Sequence, residues 1–148
     1  MGAKLVKKEK RISRDQCFMS IANLISERGT CNRAQVGAVL VDNETNSIVA
    51  TGYNGSLPGG IHCKRDECII DEQGHCRRCV HAEMNAVLHL EKRYKFLKLY
   101  CTHKPCVECY KALVMSNVKE IYYRVDYRDI YSDILFIEGK GLVRMIAI

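Results

Sequence analysis

Apolar positions along the 148-residue chain change their period several times. After Ser13, Cys17, Met19 or Ile21, Leu24 and Ile25 recur at helical spacing. They predict a helix capped by Ser13, running to about Arg28 and ended by Gly29. Two β-rich runs follow, QVGAVLV (35–41) and SIVATG (47–52), joined by the turn DNET. Residues 54–79 keep no helical or strand period, and their glycines and Pro58 predict a loop. A loop of that length inside a compact domain is usually functional or held by metal.

A regular alternation then begins. The pattern predicts a helix over Ala82–Arg93, a strand over Lys98–Thr102, a helix over Pro105–Ser116 and a strand over Lys119–Arg124. A short helix near Ile130–Glu138 precedes a last strand, Leu142–Ile148. Such alternation implies βαβ units after an antiparallel opening hairpin. The expected fold is α/β: a five-stranded, mixed but mostly parallel sheet between two layers of helices. Residues 13–148 read as one domain and 1–12 as a basic tail.

Composition fits this reading, with 47% hydrophobic and 27% charged residues. No apolar run approaches the ~20 residues needed to span a bilayer, and the lysine-rich start precedes no apolar signal core. The expected location is cytoplasmic, the host cytoplasm if the gene is phage-borne, with no membrane partner. The net charge of +6 is concentrated at one end. Lys4, Lys7, Lys8, Lys10, Arg11 and Arg14 against Glu9 make residues 1–14 worth 6 − 1 = +5. A solvated terminus is the simpler reading of this stretch, and a nucleic-acid arm the less favoured one. The rest of the chain is nearly neutral and tryptophan is absent, which disfavours a groove for nucleic acid.

Nine cysteines without a secretory context read as metal ligands or core thiols rather than as a disulfide framework. Cys106 and Cys109, in PCVEC, are spaced i, i+3 at a predicted helix start, with Pro105 at the first helical position. There the positive end of the helix dipole favours thiolates. His81, in HAE, opens the preceding helix. His81, Cys106 and Cys109 would hold Zn²⁺ and leave its fourth position open to water, the mark of a catalytic site. Glu83 lies two residues from His81, beside that water without replacing a ligand, as a proton shuttle requires. HxE and PCxxC in this order form the zinc deaminase signature.

At this point the chain resembles the deoxycytidylate (dCMP) deaminases of the cytidine deaminase superfamily. VGAVLV, TGYNGSLPGG, the cysteine-rich loop, VHAEMNAV and THKPCVECYKAL carry the resemblance over roughly residues 14–127. It points to the Cys-rich branch of bacteria and their phages. The resemblance implies the three-layer cytidine deaminase-like fold and hydrolytic deamination of dCMP to dUMP and ammonia, which supplies dUMP for thymidylate. The attack on C4 would come from zinc-bound hydroxide. Preference for dCTP or a 5-modified dCMP stays open. A tRNA or single-stranded DNA base deaminase, or a non-catalytic zinc module, is the rival reading. The resemblance also implies Asn54 and Gly55 near the nucleoside, Tyr127 near the substrate and Arg33 toward the 5′-phosphate. It further implies a homohexamer, with dCTP as activator and dTTP as inhibitor, and Mg²⁺ accompanying those effectors.

Cys63, Cys68, Cys76 and Cys79 form C-x4-C-x7-C-x2-C in the loop, with His62 and His75 close by. Four thiolates could close a structural zinc site and stiffen a loop that buries little. Some relatives draw on a cysteine just before VGAV, here Cys31. The favoured ligands of a second zinc are Cys31, Cys63, Cys68 and either His75 or Cys76, with the role of Cys79 open. Cys17 and Cys101 sit in apolar patterns and read as core.

Overall fold

A computed structural model describes residues 10–63, 67–127, 129–139 and 141–148. Most of the basic tail, residues 1–9, lies outside the described residues. Ser13 caps helix α1 (Arg14–Ser26) reciprocally with Gln16: the serine hydroxyl accepts the Gln16 N–H at 3.1 Å, and the glutamine oxygen accepts the Ser13 N–H at 3.0 Å. The face that α1 buries is Phe18, Met19 and Ala22. Leu24, expected on that face, is 64% exposed, because the stripe set by Phe18 and Ala22 turns it to solvent.

Strands β1 (Gly37–Asp42) and β2 (Ile48–Tyr53) form the expected antiparallel hairpin. Helix α2 (Ala82–Leu88), strand β3 (Leu97–His103), helix α3 (Val107–Met115), strand β4 (Val118–Val125), helix α4 (Ile130–Glu138) and strand β5 (Arg144–Ala147) complete the chain. The sheet order is β2-β1-β3-β4-β5. β1 pairs antiparallel with β2 and β3, while β3–β4 and β4–β5 are parallel. The sheet is thus mixed, with parallel pairing confined to the half built from βαβ units.

All six residues of β1 are buried, so alternate side chains feed two cores. Val39 and Val41 join Phe18, Met19, Tyr100 and Tyr122 under α1. Ala38 and Leu40 join Leu97, Leu99, Ala86, Leu113 and Ile121 under α2 and α3, and Phe136 of α4 packs on the same side. Three layers result.

Two glycines let helices sit against the hairpin. A Cβ at Gly37 would lie 2.0 Å from the Ala22 carbonyl oxygen, and one at Gly52 would lie 2.2 Å from that of Ala82. Gly52 therefore serves the approach of α2, not that of a ligand. α2 is shorter than the expected Ala82–Arg93. It stops at Leu88, after which Leu90 and Tyr94 fold back onto the core. Asn85 and His89 bond the carbonyls of Tyr53 and Thr51 at 2.8 and 3.2 Å, which ties α2 to β2.

Candidate active site and metal centre

His81 and Cys106 occupy equivalent places. Each is the N-cap of its helix, with extended backbone, and neither side chain caps its own helix. Both side chains turn toward one another instead. His81 Nδ1 lies 3.4 Å from the sulfurs of both Cys106 and Cys109. A tetrahedral zinc with Zn–N near 2.0 Å and Zn–S near 2.3 Å needs N···S edges of about 3.5 Å, so the three donors fit that ion. Pro105 was expected at the first helical position. It precedes the cap instead, and Val107 begins the helix.

The cluster is electrostatically asymmetric. The Cys109 thiol bonded to it and the neighbouring His81 hold Cys106 down to about 4 against its burial, and the same pairing drives Cys109 well above the ordinary thiol range. His81 is raised to about 8, first by its bond to Cys106. These groups carry negative charge on sulfur and hold protons that a dication would displace. That donor chemistry suits zinc.

Glu83 stands in the first turn of α2 and is 4% exposed. Burial pushes its carboxyl up, opposed by its own N–H at the helix start and by His81. Its packing against Cys101 of β3, a buried thiol that is itself pushed up by burial and by Glu83, was not legible from the strand pattern.

The loop that carries no sequence period contains its own small structure. Ile70 pairs with Cys76, and Asp71 Oδ1 accepts the N–H groups of Gln73 and His75 at 3.0 and 2.8 Å, closing a turn at Gly74. This brings Cys63 within 3.8 Å of Cys76 and 3.7 Å of Cys79, sulfur to sulfur. Two zinc-bound thiolates are separated by about 3.8 Å, so these spacings also suit a tetrahedral ion. The Cys68 thiol is pushed up to about 11 by burial and by the sulfurs of Cys63 and Cys76. Backbone N–H groups of Cys79 and Arg78 hold Cys76 down to about 7 despite its burial.

His75 points elsewhere, with Nδ1 3.7 Å from an Asp71 oxygen and its side chain 58% exposed. Of the two alternatives, Cys76 and not His75 joins the sulfurs, and Cys79, whose role the sequence left open, joins them too. Cys31 lies near enough to Cys79 and His81 for its charge to be felt by both, but it is not in either cluster.

The residues expected near a nucleoside are less free than their pattern suggests. Asn54 Oδ1 accepts the Val36 N–H at 2.8 Å and its amide donates to Ala34 O at 2.7 Å, leaving one N–H uncommitted among the described residues. The Gly55 N–H and C=O pair with Val80 at 3.1 and 2.8 Å, and the Gly60 N–H donates to Leu57. The N–H groups of Gly55 and Gly60 are thus committed within the protein and not offered to a phosphate. The Gly55–Val80 pairing instead fixes Asn54 beside His81. Arg33 bonds the Gly74 carbonyl across the loop. Tyr127 lies close enough to Cys106 and Arg33 for each to bear on its phenol.

A mixed sheet that sets a histidine and two cysteines at the starts of adjacent helices, beside a buried glutamate, defines a zinc-site α/β domain. Residues 12–125 match the family model described as the cytidine and deoxycytidylate deaminase zinc-binding region, and the chain belongs to that family. ComE operon protein 2 of Bacillus subtilis is 40% identical over 121 residues, covering 80% of this chain and 62% of that protein. The deoxycytidylate deaminase of Schizosaccharomyces pombe is 34% identical over 126 residues, covering 79% of this chain and 38% of that enzyme. The chain therefore spans less than two thirds of either relative. The dCMP deaminase of cyanophage S-TIM5, solved in complex with dCMP and dUMP, matches with a TM-score of 0.74 and 33% identity. That match covers 95% of this chain and all (100%) of the phage one. No helix among the described residues is long and apolar enough to cross a membrane.

Proposed function

We propose that this protein converts dCMP and water to dUMP and ammonia. The observation that carries the proposal is the buried Glu83 two residues from His81, whose Nδ1 faces both sulfurs of α3 at 3.4 Å. Zinc held by His81, Cys106 and Cys109 supplies Lewis acidity that brings the pKa of a water toward ~7. Glu83 takes a proton from the attacking water, delivers one to the ring nitrogen and helps the amine leave as ammonia. Burial raises its pKa, which suits a carboxyl that must hold a proton in mid-reaction. The uncommitted amide N–H of Asn54 faces the nucleoside, the Tyr127 phenol the base or sugar, and Arg33 the 5′-phosphate. Likeness to a phage enzyme solved with dCMP and dUMP supports a mononucleotide.

A second zinc, structural in role, belongs to the same proposal. Its ligands are Cys63, Cys76 and Cys79, on the sulfur spacings given above, with Cys68, whose thiol is raised by burial and by Cys63 and Cys76, assigned as the fourth. A homohexamer regulated by dCTP and dTTP with Mg²⁺, in the cytoplasm, completes the proposal. The exposed Ile130, Tyr131, Ile134 and Ile137 of α4 are compatible with burial against other copies.

The test is turnover of purified protein on dCMP, dCTP, deoxycytidine and a cytidine-containing oligonucleotide. The expected result is dUMP formation from dCMP at the highest kcat/KM. Faster deamination of the oligonucleotide than of dCMP would overturn the mononucleotide assignment.

A further inference from the structure

We propose that Asp129 is a positioning residue that fixes the sulfur-bearing start of α3 to the segment carrying Tyr127. The inference rests on the assignment of Cys106 as a metal ligand and of Tyr127 as a substrate neighbour.

One carboxylate serves two helices. Asp129 Oδ1 accepts the N–H groups of Tyr131 and Ser132 at 3.0 and 3.4 Å, capping α4 in the ordinary way. Its Oδ2 accepts the N–H of Val107 at 2.6 Å, the first residue of α3. α3 needs that outside acceptor. Its own cap residue is Cys106, whose sulfur faces His81 and makes no capping bond. Ordinary caps are interchangeable with water at a surface, but this one orients the peptide joining Cys106 to α3.

The same two chain segments are laced at further points. The Lys104 N–H donates to Val125 O at 2.9 Å. Lys104 Nζ, on a side chain 14% exposed, lies 2.6 Å from Asp133 and 3.7 Å from Asp126. Residues 104–107 are thus tied to 125–127 and 129–133 at several points, with the Asp126 and Asp129 contacts on either side of Tyr127. Loss of the Asp129 bond frees the rotation of Cys106 about α3 and the placement of Tyr127 together.

The test compares Asp129→Ala with Ser13→Ala, which removes the cap of α1 far from the cluster. Cobalt is loaded into each full-length protein, its thiolate bands are recorded, and its release to a chelator is timed without substrate. Both variants should lose some thermal stability. Only Asp129→Ala should release cobalt faster in one kinetic phase, by about tenfold or more, as removal of a partner behind a metal ligand does elsewhere. It should also raise KM for dCMP by several-fold through Tyr127, while Asp129→Asn, which keeps one carbonyl oxygen, should fall between it and the parent.

A parent protein that binds no cobalt would overturn the metal assignment and this proposal with it. A parent that binds cobalt, with release and KM the same in Asp129→Ala as in Ser13→Ala, would overturn the positioning role alone.

Discussion

Glu83 pairs low exposure with a functional demand for proton exchange. A carboxyl whose folded-state pKa is raised weakens the fold as pH climbs above its unfolded value near 4.5, because the ionised form is the one burial disfavours. At neutral pH the fold bears that cost for the sake of a proton carrier. Glu83→Gln keeps the shape and removes the proton exchange. Measured on one preparation, the variant should retain the zinc held by His81, Cys106 and Cys109 and a Tm at pH 7 no lower than the parent. Its kcat should fall by ~10²–10⁴. Loss of the metal, or normal turnover, would contradict the role given to Glu83. Asn54 teaches the converse lesson. GYNG suggested a residue waiting for ligand, yet four of its polar groups hold residues 30–36 in place: its side-chain oxygen and amide, and its backbone N–H and carbonyl.

At the scale of elements, legibility followed local periodicity. α4 falls on the expected Ile130–Glu138, and the hairpin and alternating strands lie where their spacing placed them. α2 did not, since its length is set by where Leu90 and Tyr94 find the core, a tertiary fact. The cap of α3 lay beyond reach for the same reason: Asp129 stands 22 residues away from Val107. Its own signal was present, as an aspartate before the apolar run of α4 reads as an N-cap.

The cysteine loop was the least legible part, because its order comes from an Asp71 turn and grouped sulfurs rather than from a repeating pattern. The structure gathers Cys63, Cys76 and Cys79, and His75 faces away. Metal analysis should therefore find about two zinc ions per chain. Cys79→Ser should lose one ion and lower Tm, whereas His75→Ala should keep both. One ion in the parent, or loss of an ion in His75→Ala, would contradict this ligand set.

Across the whole molecule, the site is assembled from parts that the fold brings together at one end of the sheet. α2 contributes His81 and Glu83, α3 contributes both sulfurs, and the loop after β2 reaches them through the Gly55–Val80 pairing. Cys79, the last of the loop sulfurs, stands only two residues from His81, so metal in the loop would stiffen the chain entering α2. Most of the net charge of +6 precedes Arg14 in the sequence and belongs to none of the cluster residues.

The central claim is that zinc at His81, Cys106 and Cys109 and the carboxyl of Glu83 together deaminate dCMP. The most direct measurement is dUMP formation by one preparation as purified, after exhaustive chelation and after zinc is restored. Turnover should vanish with the metal and return with added zinc. Unchanged turnover in metal-free protein, or no dUMP from protein with its zinc in full, would contradict it.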